Sequence, residues 1–302
     1  MRVLILGCGY VGFPLAVQLI DQGHEVIGLR RTSAGADVLA AAGVEVVMAD
    51  LAHAEFTLPA GKFDWVVFAA AAGSGADEAA CRALHVEGLR RVLDLLSRER
   101  PAKFVHLSSI GVYGQRGGVL VKETTATEPR TVFDRVQLES EGLVRAAANA
   151  GLPSVILRVA GVYGPDRMPR LDRFLRNEVR IEGQGTRHLN MVHRDDVVAS
   201  ILAALKNGRA GECYNVVDQE PVTETHFYSW LAEAVGMSMP PTVAAETDPG
   251  RLAEAVDEKV SNRRLTMELG CRLKYPNFRL GYTAELKRLG DAGLLDVPGD
   301  ES

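Results

Sequence analysis

The charge-free stretch from Val3 to Ile20 decides most of what this chain can become. Its length approaches that of a membrane span or a signal-peptide core, but Gly7, Gly9, Gly12, Pro14 and Gln18 interrupt it. Its character also changes halfway, from the compact run Val3-Leu4-Ile5-Leu6 to the helical spacing of Leu15, Ala16 and Leu19. A buried strand, a glycine turn and a buried helix explain these residues better than a membrane span. The turn is then Gly7-Cys8-Gly9-Tyr10-Val11-Gly12. In a GxGxxG turn the first glycine permits the tight bend, the second lets backbone amides approach a pyrophosphate, and the third lets helix and strand pack closely. Free N–H groups and the helix dipole then hold the anion. Any glycine-rich turn can show this pattern, but its position between a first strand and a first helix points to a dinucleotide.

The rest of the first half repeats the rhythm. Apolar runs suited to buried parallel strands recur at Val3 to Leu6, Val26 to Leu29, Val44 to Met48, Trp65 to Ala70, Phe104 to Leu107 and Val155 to Val159. Helical patterns fit 10–22, 76–99, 132–150 and 194–207, with Pro14 in the first helix's opening turn and Gly23 past its end. Right-handed crossovers give an α/β fold, a Rossmann-like doubly wound parallel sheet with a smaller C-terminal α+β substrate lobe. The expected boundaries are a dinucleotide-binding domain over 1–165, joined by about 188–218, and a substrate lobe over 166–187 and 219–302.

Composition narrows the partners. The 302 residues are 47% hydrophobic and 24% charged, enough for a full core. A net charge of −5 and dispersed arginines give no basic footprint for nucleic acid. Cys8, Cys81, Cys213 and Cys271 are far apart and form no CxxC pair, so neither a metal site nor a disulfide framework is expected, and a reducing cytoplasm fits. A small-molecule substrate, no membrane, and a monomer or homodimer complete the expectation.

After the second strand, where an NAD-binding chain usually places Asp or Glu, stands Leu29-Arg30-Arg31-Thr32. Two guanidiniums and a hydroxyl suit a 2′-phosphate, whereas a carboxylate would repel it, so NADP is favoured with NAD as the alternative. A solvated basic loop would read the same way. Asp50 and Leu51 after the third strand are placed for the adenine edge, and the small residues Ala69, Ala70 and Ala71 let backbone lie along the cofactor.

Phe104-Val105-His106-Leu107-Ser108-Ser109-Ile110-Gly111-Val112-Tyr113-Gly114, together with the glycine turn, resembles the extended short-chain dehydrogenase/reductase superfamily, that is, the NAD-dependent epimerase/dehydratase family. The likeness continues at Leu157 to Pro165, Asn190 to Val197 and Tyr214 to Val216, covering residues 1 to about 220. The resemblance implies a Ser or Thr at Ser109, followed about 24 residues later by a YxxxK pair. In such proteins the Tyr exchanges a proton with substrate, while the Lys lowers the Tyr pKa and grips the ribose. It also implies cofactor contacts at Ser108, Val159 and the Lys position.

Here the matching segment Pro129 to Glu141 carries Phe133 for the Tyr and Gln137 for the Lys. Phe has no exchangeable proton, and Gln hydrogen-bonds a ribose without supplying charge. His85 stands where relatives tend to have Asn. The combination looks like the atypical members that keep the cofactor fold and lack the pair. Tyr113 is the named substitute acid; Tyr163, His85 and His193 are further titratable groups, each with a packing role as the blander reading. Asp134 and Glu139 read as solvated helix charges, and Asp195 as a helix cap. Ser261-Asn262-Arg263-Arg264-Leu265 resembles the superfamily segment that packs a helix over the cleft, and Arg170, Arg173, Arg176, Arg180 and Arg187 are candidates to meet an anionic substrate. Two classes fit: an NADP-dependent oxidoreductase or epimerase with a degenerate active site, and a non-catalytic NADP(H)-binding sensor or regulatory module.

Overall fold

The six apolar runs and a seventh strand from the 188–218 segment assemble into one seven-stranded parallel sheet in the computed structural model, which describes residues 1–73, 75–245 and 256–295. Its strands are β1 Arg2–Leu6, β2 Glu25–Arg30, β3 Glu45–Met48, β4 Trp65–Phe68, β5 Lys103–Ser109, β6 Ser154–Val159 and β7 Cys213–Val216. They lie in the order β7-β6-β5-β4-β1-β2-β3. The direction of winding reverses between β1 and β4, which pair in register with Leu6 beside Phe68. A crevice opens at such a switch point, beyond the carboxyl ends of the strands.

Strand periodicity builds the core on both faces. Val3 and Ile5 of β1 join one apolar cluster with Leu15 and Leu19 of α1 (Gly12–Asp21). Leu4 and Leu6 point the other way, into a second cluster with Phe68, Phe104, Leu89 and Val92. All six residues of β6 are buried, as a central parallel strand covered on both faces requires. On the first face α7 (Arg194–Asn207) lies beside α1; on the second are α4 (Leu89–Arg98) and α5 (Val132–Asn149). A third cluster gathers Tyr163, Phe174, Phe227, Phe278 and Tyr282 from α6 (Pro169–Leu175), α8 (Glu224–Val235), α10 (Phe278–Asp291) and the segment before α6.

Several local expectations need correction. The helix expected over 76–99 is three pieces: α3 (Glu78–Arg82), a π-helical turn Ala83–Gly88 and α4. A π-turn is widened by one residue per hydrogen-bonded ring, and such bulges recur at functional sites. β4 stops at Phe68, so Ala69 and Ala70 belong to the loop. The α7 cap is His193, whose Nδ1 accepts from the Asp195 amide at 3.1 Å; Asp195 lies in the first turn instead. The short helix α9 (Arg263–Met267) packs against the sheet-edge strand β7 rather than over the cleft, with the Arg264 guanidinium 5.0 Å above the Tyr214 ring and Leu265 fully buried. A parallel pair, Val119–Val121 with Glu258–Val260, ties the loop after β5 to the C-terminal half. Among the described residues no helix is long and apolar enough to cross a membrane.

Candidate active site

The glycine turn forms one wall of a cleft of about 490 Å³ at the switch point. Gly7 has φ +99°, and a Cβ there would lie 2.4 Å from the Ala70 backbone, so no other residue lets β1 turn against the end of β4. Gly12 sits behind the cleft wall, where a Cβ would come within 2.5 Å of the Gly7 carbonyl. A Cβ added at Gly9 would meet nothing within 4 Å, which leaves the space a ligand phosphate needs. The Tyr10 and Val11 amides make no backbone hydrogen bond among the described residues, and α1 has no acidic residue in its first turn. These free donors, backed by the helix dipole, fit a dinucleotide's diphosphate.

The same cleft is lined by Gly7, Gly9, Tyr10, Val11, Arg30, Arg31, Thr32, Asp50, Leu51, Ala69, Ala70 and Ala71, so candidates scattered over the first quarter of the chain meet at one place. Arg30 ends β2 and lies over Gly35, where an added Cβ would be 2.9 Å from its Nη1. Neither Arg30 nor Arg31 forms an ion pair or side-chain hydrogen bond among the described residues. Asp50 is the single acidic residue of the lining, and its Oδ1 is engaged with the Ala52 amide at 2.9 Å. The lining also includes Arg167, Leu84, Ala80 and Ala83, which sequence reasoning missed. The signal for Arg167 was the turn Gly164-Pro165-Asp166-Arg167; nothing in the small residues distinguished them from helix packing.

Ser109, Phe133, Gln137 and Val159 are not among the residues lining that cleft; β5 closes with Ser109 beside Val159, the last residue of β6. The Ser109 Oγ accepts from the Gly111 amide at 3.1 Å. Phe133 stands in the first turn of α5, 43% exposed, with its ring edge-on to His85 at 6.1 Å. Gln137 follows one turn later and is buried, with no partner for its Oε1. A buried, unpaired amide oxygen is costly unless a ligand or water completes it.

Other assignments change. Ser108 is buried and donates to the Glu141 Oε1 at 2.8 Å, so its side chain serves an internal ion pair rather than a ligand. That pair joins Glu141 to Arg158 through two bonds of 2.8 and 2.7 Å. Asp134 is not a solvated charge: with Thr131 it forms a capping box at the start of α5. Glu139 is a surface residue, 2.9 Å from Arg82.

The candidate substitute acids do poorly. Tyr113 is fully buried, donates to Asn215 at 2.7 Å and has a pKa pushed up by burial to about 12. That geometry corrects its reading as a replacement acid and makes it a packing residue. Tyr163 is buried against Tyr282, and burial raises its phenol further. His193 is fully buried, bonded to the Asp195 amide and 3.2 Å from Glu285. His85 is buried with both ring nitrogens unpartnered, and burial pushes its pKa down to about 4, so the imidazole is neutral. Of the outer arginines, Arg176 pairs with Glu178, Arg187 with Glu224, and Arg180 caps local carbonyls, which commits three of the five to the surface.

Known proteins resemble this chain in sequence and fold. Residues 3–217 match the NAD dependent epimerase/dehydratase family. Protein YeeZ of Escherichia coli K12 is 27% identical over 285 residues, spanning 91% of this chain and 97% of that protein. A functionally unknown conserved protein from Silicibacter pomeroyi has a solved structure that is 29% identical and superimposes with a TM-score of 0.75, covering 96% of this chain and 99% of that one. UDP-glucuronic acid 4-epimerase from Bacillus cereus, solved with UDP-glucuronic acid and NAD, superimposes with a TM-score of 0.78 over 97% of this chain and 100% of that one; at 19% identity it speaks for the fold. With a family match across most of its length and the sheet order to go with it, this chain belongs to the NAD dependent epimerase/dehydratase family.

Proposed function

We propose that the cleft binds NADP(H) and that the protein is an oxidoreductase or epimerase-like enzyme with a degenerate active site, acting on a small polar, nucleotide-linked or sugar-like substrate. One observation carries the cofactor choice: Arg30, Arg31 and Thr32 line the end of the cleft at β2, while the only lining carboxylate, Asp50, is engaged in its own turn. A 2′-phosphate is favoured there by charge-assisted bonds that NAD cannot make.

Bound in the cleft, a nicotinamide dinucleotide supplies or accepts a hydride. The Tyr10 and Val11 amides hold the diphosphate, Gln137 receives a ribose hydroxyl, and Ser109 orients a substrate oxygen. Phe133 covers the place of the phenol without offering a proton, so proton exchange passes to water or to the substrate itself. A screen of NADPH oxidation against carbonyl compounds and sugar nucleotides tests this reading: turnover supports it, and tight NADPH binding with no turnover on any substrate supports the alternative.

That alternative is a non-catalytic NADP(H) sensor or regulatory module. It is favoured by the apolar, 43% exposed ring of Phe133 at the position where a proton donor is expected. All four cysteines are buried and unpaired, which supports placing the protein in a reducing cytoplasm.

A further inference from the structure

We propose that Arg167 is a diphosphate clamp that flanks the glycine turn at the cleft. The inference rests on the cofactor reading above and adds a residue from outside the dinucleotide motif. Arg167 lines the cleft, and its guanidinium lies 5.3 Å over the ring of Tyr10, whose own amide is one of the free donors. Arg194 stands 5.4 Å from the same ring. Tyr10 is thus a platform touched by two cations, and its hydroxyl is buried without a partner. Burial pushes that phenol up to about 12, against the pull of both arginines, so the platform is neutral and does not discharge either cation.

The two arginines differ in what else they touch. Arg194 is tied to Asp195 at 3.2 Å. Arg167 is exposed and has no ion pair among the described residues; its neighbour Asp166 pairs with Arg288 at 3.4 Å instead. Its backbone is nevertheless fixed. Gly164 and Arg167 exchange two hydrogen bonds of 3.1 and 3.0 Å, Asp166 adopts φ 63° within that turn, and the next residue, Met168, is buried. The turn is also held against Tyr10, since a Cβ at Gly164 would lie 3.2 Å from the Tyr10 hydroxyl oxygen. An unpaired guanidinium on a rigid turn, beside free amides at a helix start, is a second half-site for one dianionic group. The turn leads into α6, so the clamp also links the outer lobe to the cofactor.

Titration calorimetry of the wild type, Arg167→Ala and Arg167→Lys with NADP⁺, NAD⁺ and adenosine 2′-monophosphate tests the clamp, because the last ligand lacks the diphosphate. The expected result is a loss of about 10- to 100-fold for both dinucleotides in Arg167→Ala. Affinity for adenosine 2′-monophosphate should stay within twofold, Arg167→Lys should recover part of the loss, and Tm should be unchanged. Dinucleotide binding by Arg167→Ala within twofold of wild type overturns the clamp alone, as does an equal loss for all three ligands. Wild-type protein that takes up neither dinucleotide overturns the clamp together with the cofactor reading beneath it.

Discussion

Phe133 meets His85 edge-on, with ring centroids 6.1 Å apart and planes at 88°. The pair brings the residue at the missing phenol's position against a buried imidazole whose two nitrogens have no partner. Phe133 gives no proton, and burial keeps His85 neutral at physiological pH. In the proposed reading this is where a proton donor is expected, and neither ring supplies a proton at physiological pH.

Restoring that group is the first prediction. Phe133 is 43% exposed at the start of α5, so a phenolic oxygen can be added there without burying it. Gln137, one turn on, is buried, so a lysine there needs the new phenol or the cofactor's ribose beside it. Phe133→Tyr with Gln137→Lys should create or raise NADPH-dependent carbonyl reduction by about 10²- to 10⁴-fold, the usual contribution of a positioned acid/base. Steady-state rates on the double variant check it. An unchanged rate with cofactor still bound rejects the idea that only the acid is lacking.

Cofactor choice should reside in Arg30. Arg30→Asp replaces an unpaired guanidinium by a carboxylate that repels a 2′-phosphate and accepts from ribose hydroxyls. NADP affinity should fall by about 10- to 100-fold, with NAD affinity unchanged or improved. Fluorescence titration with NADPH and NADH measures both; equal losses for the two remove the case for phosphate selection.

How much of this was legible in the chain follows from the range of the forces involved. The glycine turn, the doubly wound sheet and the gathering of Arg30, Asp50 and Ala70 around one cleft rest on periodicity and on backbone sterics, which a local pattern reports. Ser108 was misread because its hydroxyl's direction depends on Glu141 and Arg158, distant residues whose pairing no local pattern announces. Asp134 was misread as solvent-facing although Thr131 lies three residues before it, a spacing that does signal a cap. Arg167 was missed because its importance comes from the Tyr10 ring, brought near only by folding.

The buried pair predicts an acid-labile core. Burial alone would raise the Glu141 carboxyl, but bonds from Arg158 and Ser108 outweigh it and hold its pKa below the ordinary 4.5. Its contribution is therefore present above pH 4.5 and lost as the pH falls through the lowered folded value. Glu141→Gln leaves Arg158 buried without a counter-charge and should cost about 3–5 kcal/mol at pH 7 in urea unfolding. A loss below about 1 kcal/mol would mean that Arg158 finds another partner.

Asp218 predicts the opposite slope. It is buried after β7, its Oδ2 has no partner, and burial pushes its pKa up to about 8. A carboxyl with a raised folded pKa favours the native state fully below its unfolded value, near 3.8, and that stability declines as the pH rises through about 8. Asp218→Asn removes the titration and should be more stable than wild type at pH 8 by about 1–3 kcal/mol. The two should converge near pH 4, and urea unfolding across that range reads the difference.

The account turns on anion capture at the glycine turn, and calorimetry on the folded wild-type protein tests it most directly. Titrated separately with NADPH and NADH, the protein should take up both, with NADPH bound about tenfold or more tightly through the 2′-phosphate. Heat of binding absent for both coenzymes would contradict the cleft, the arginine assignment and each proposed role at once.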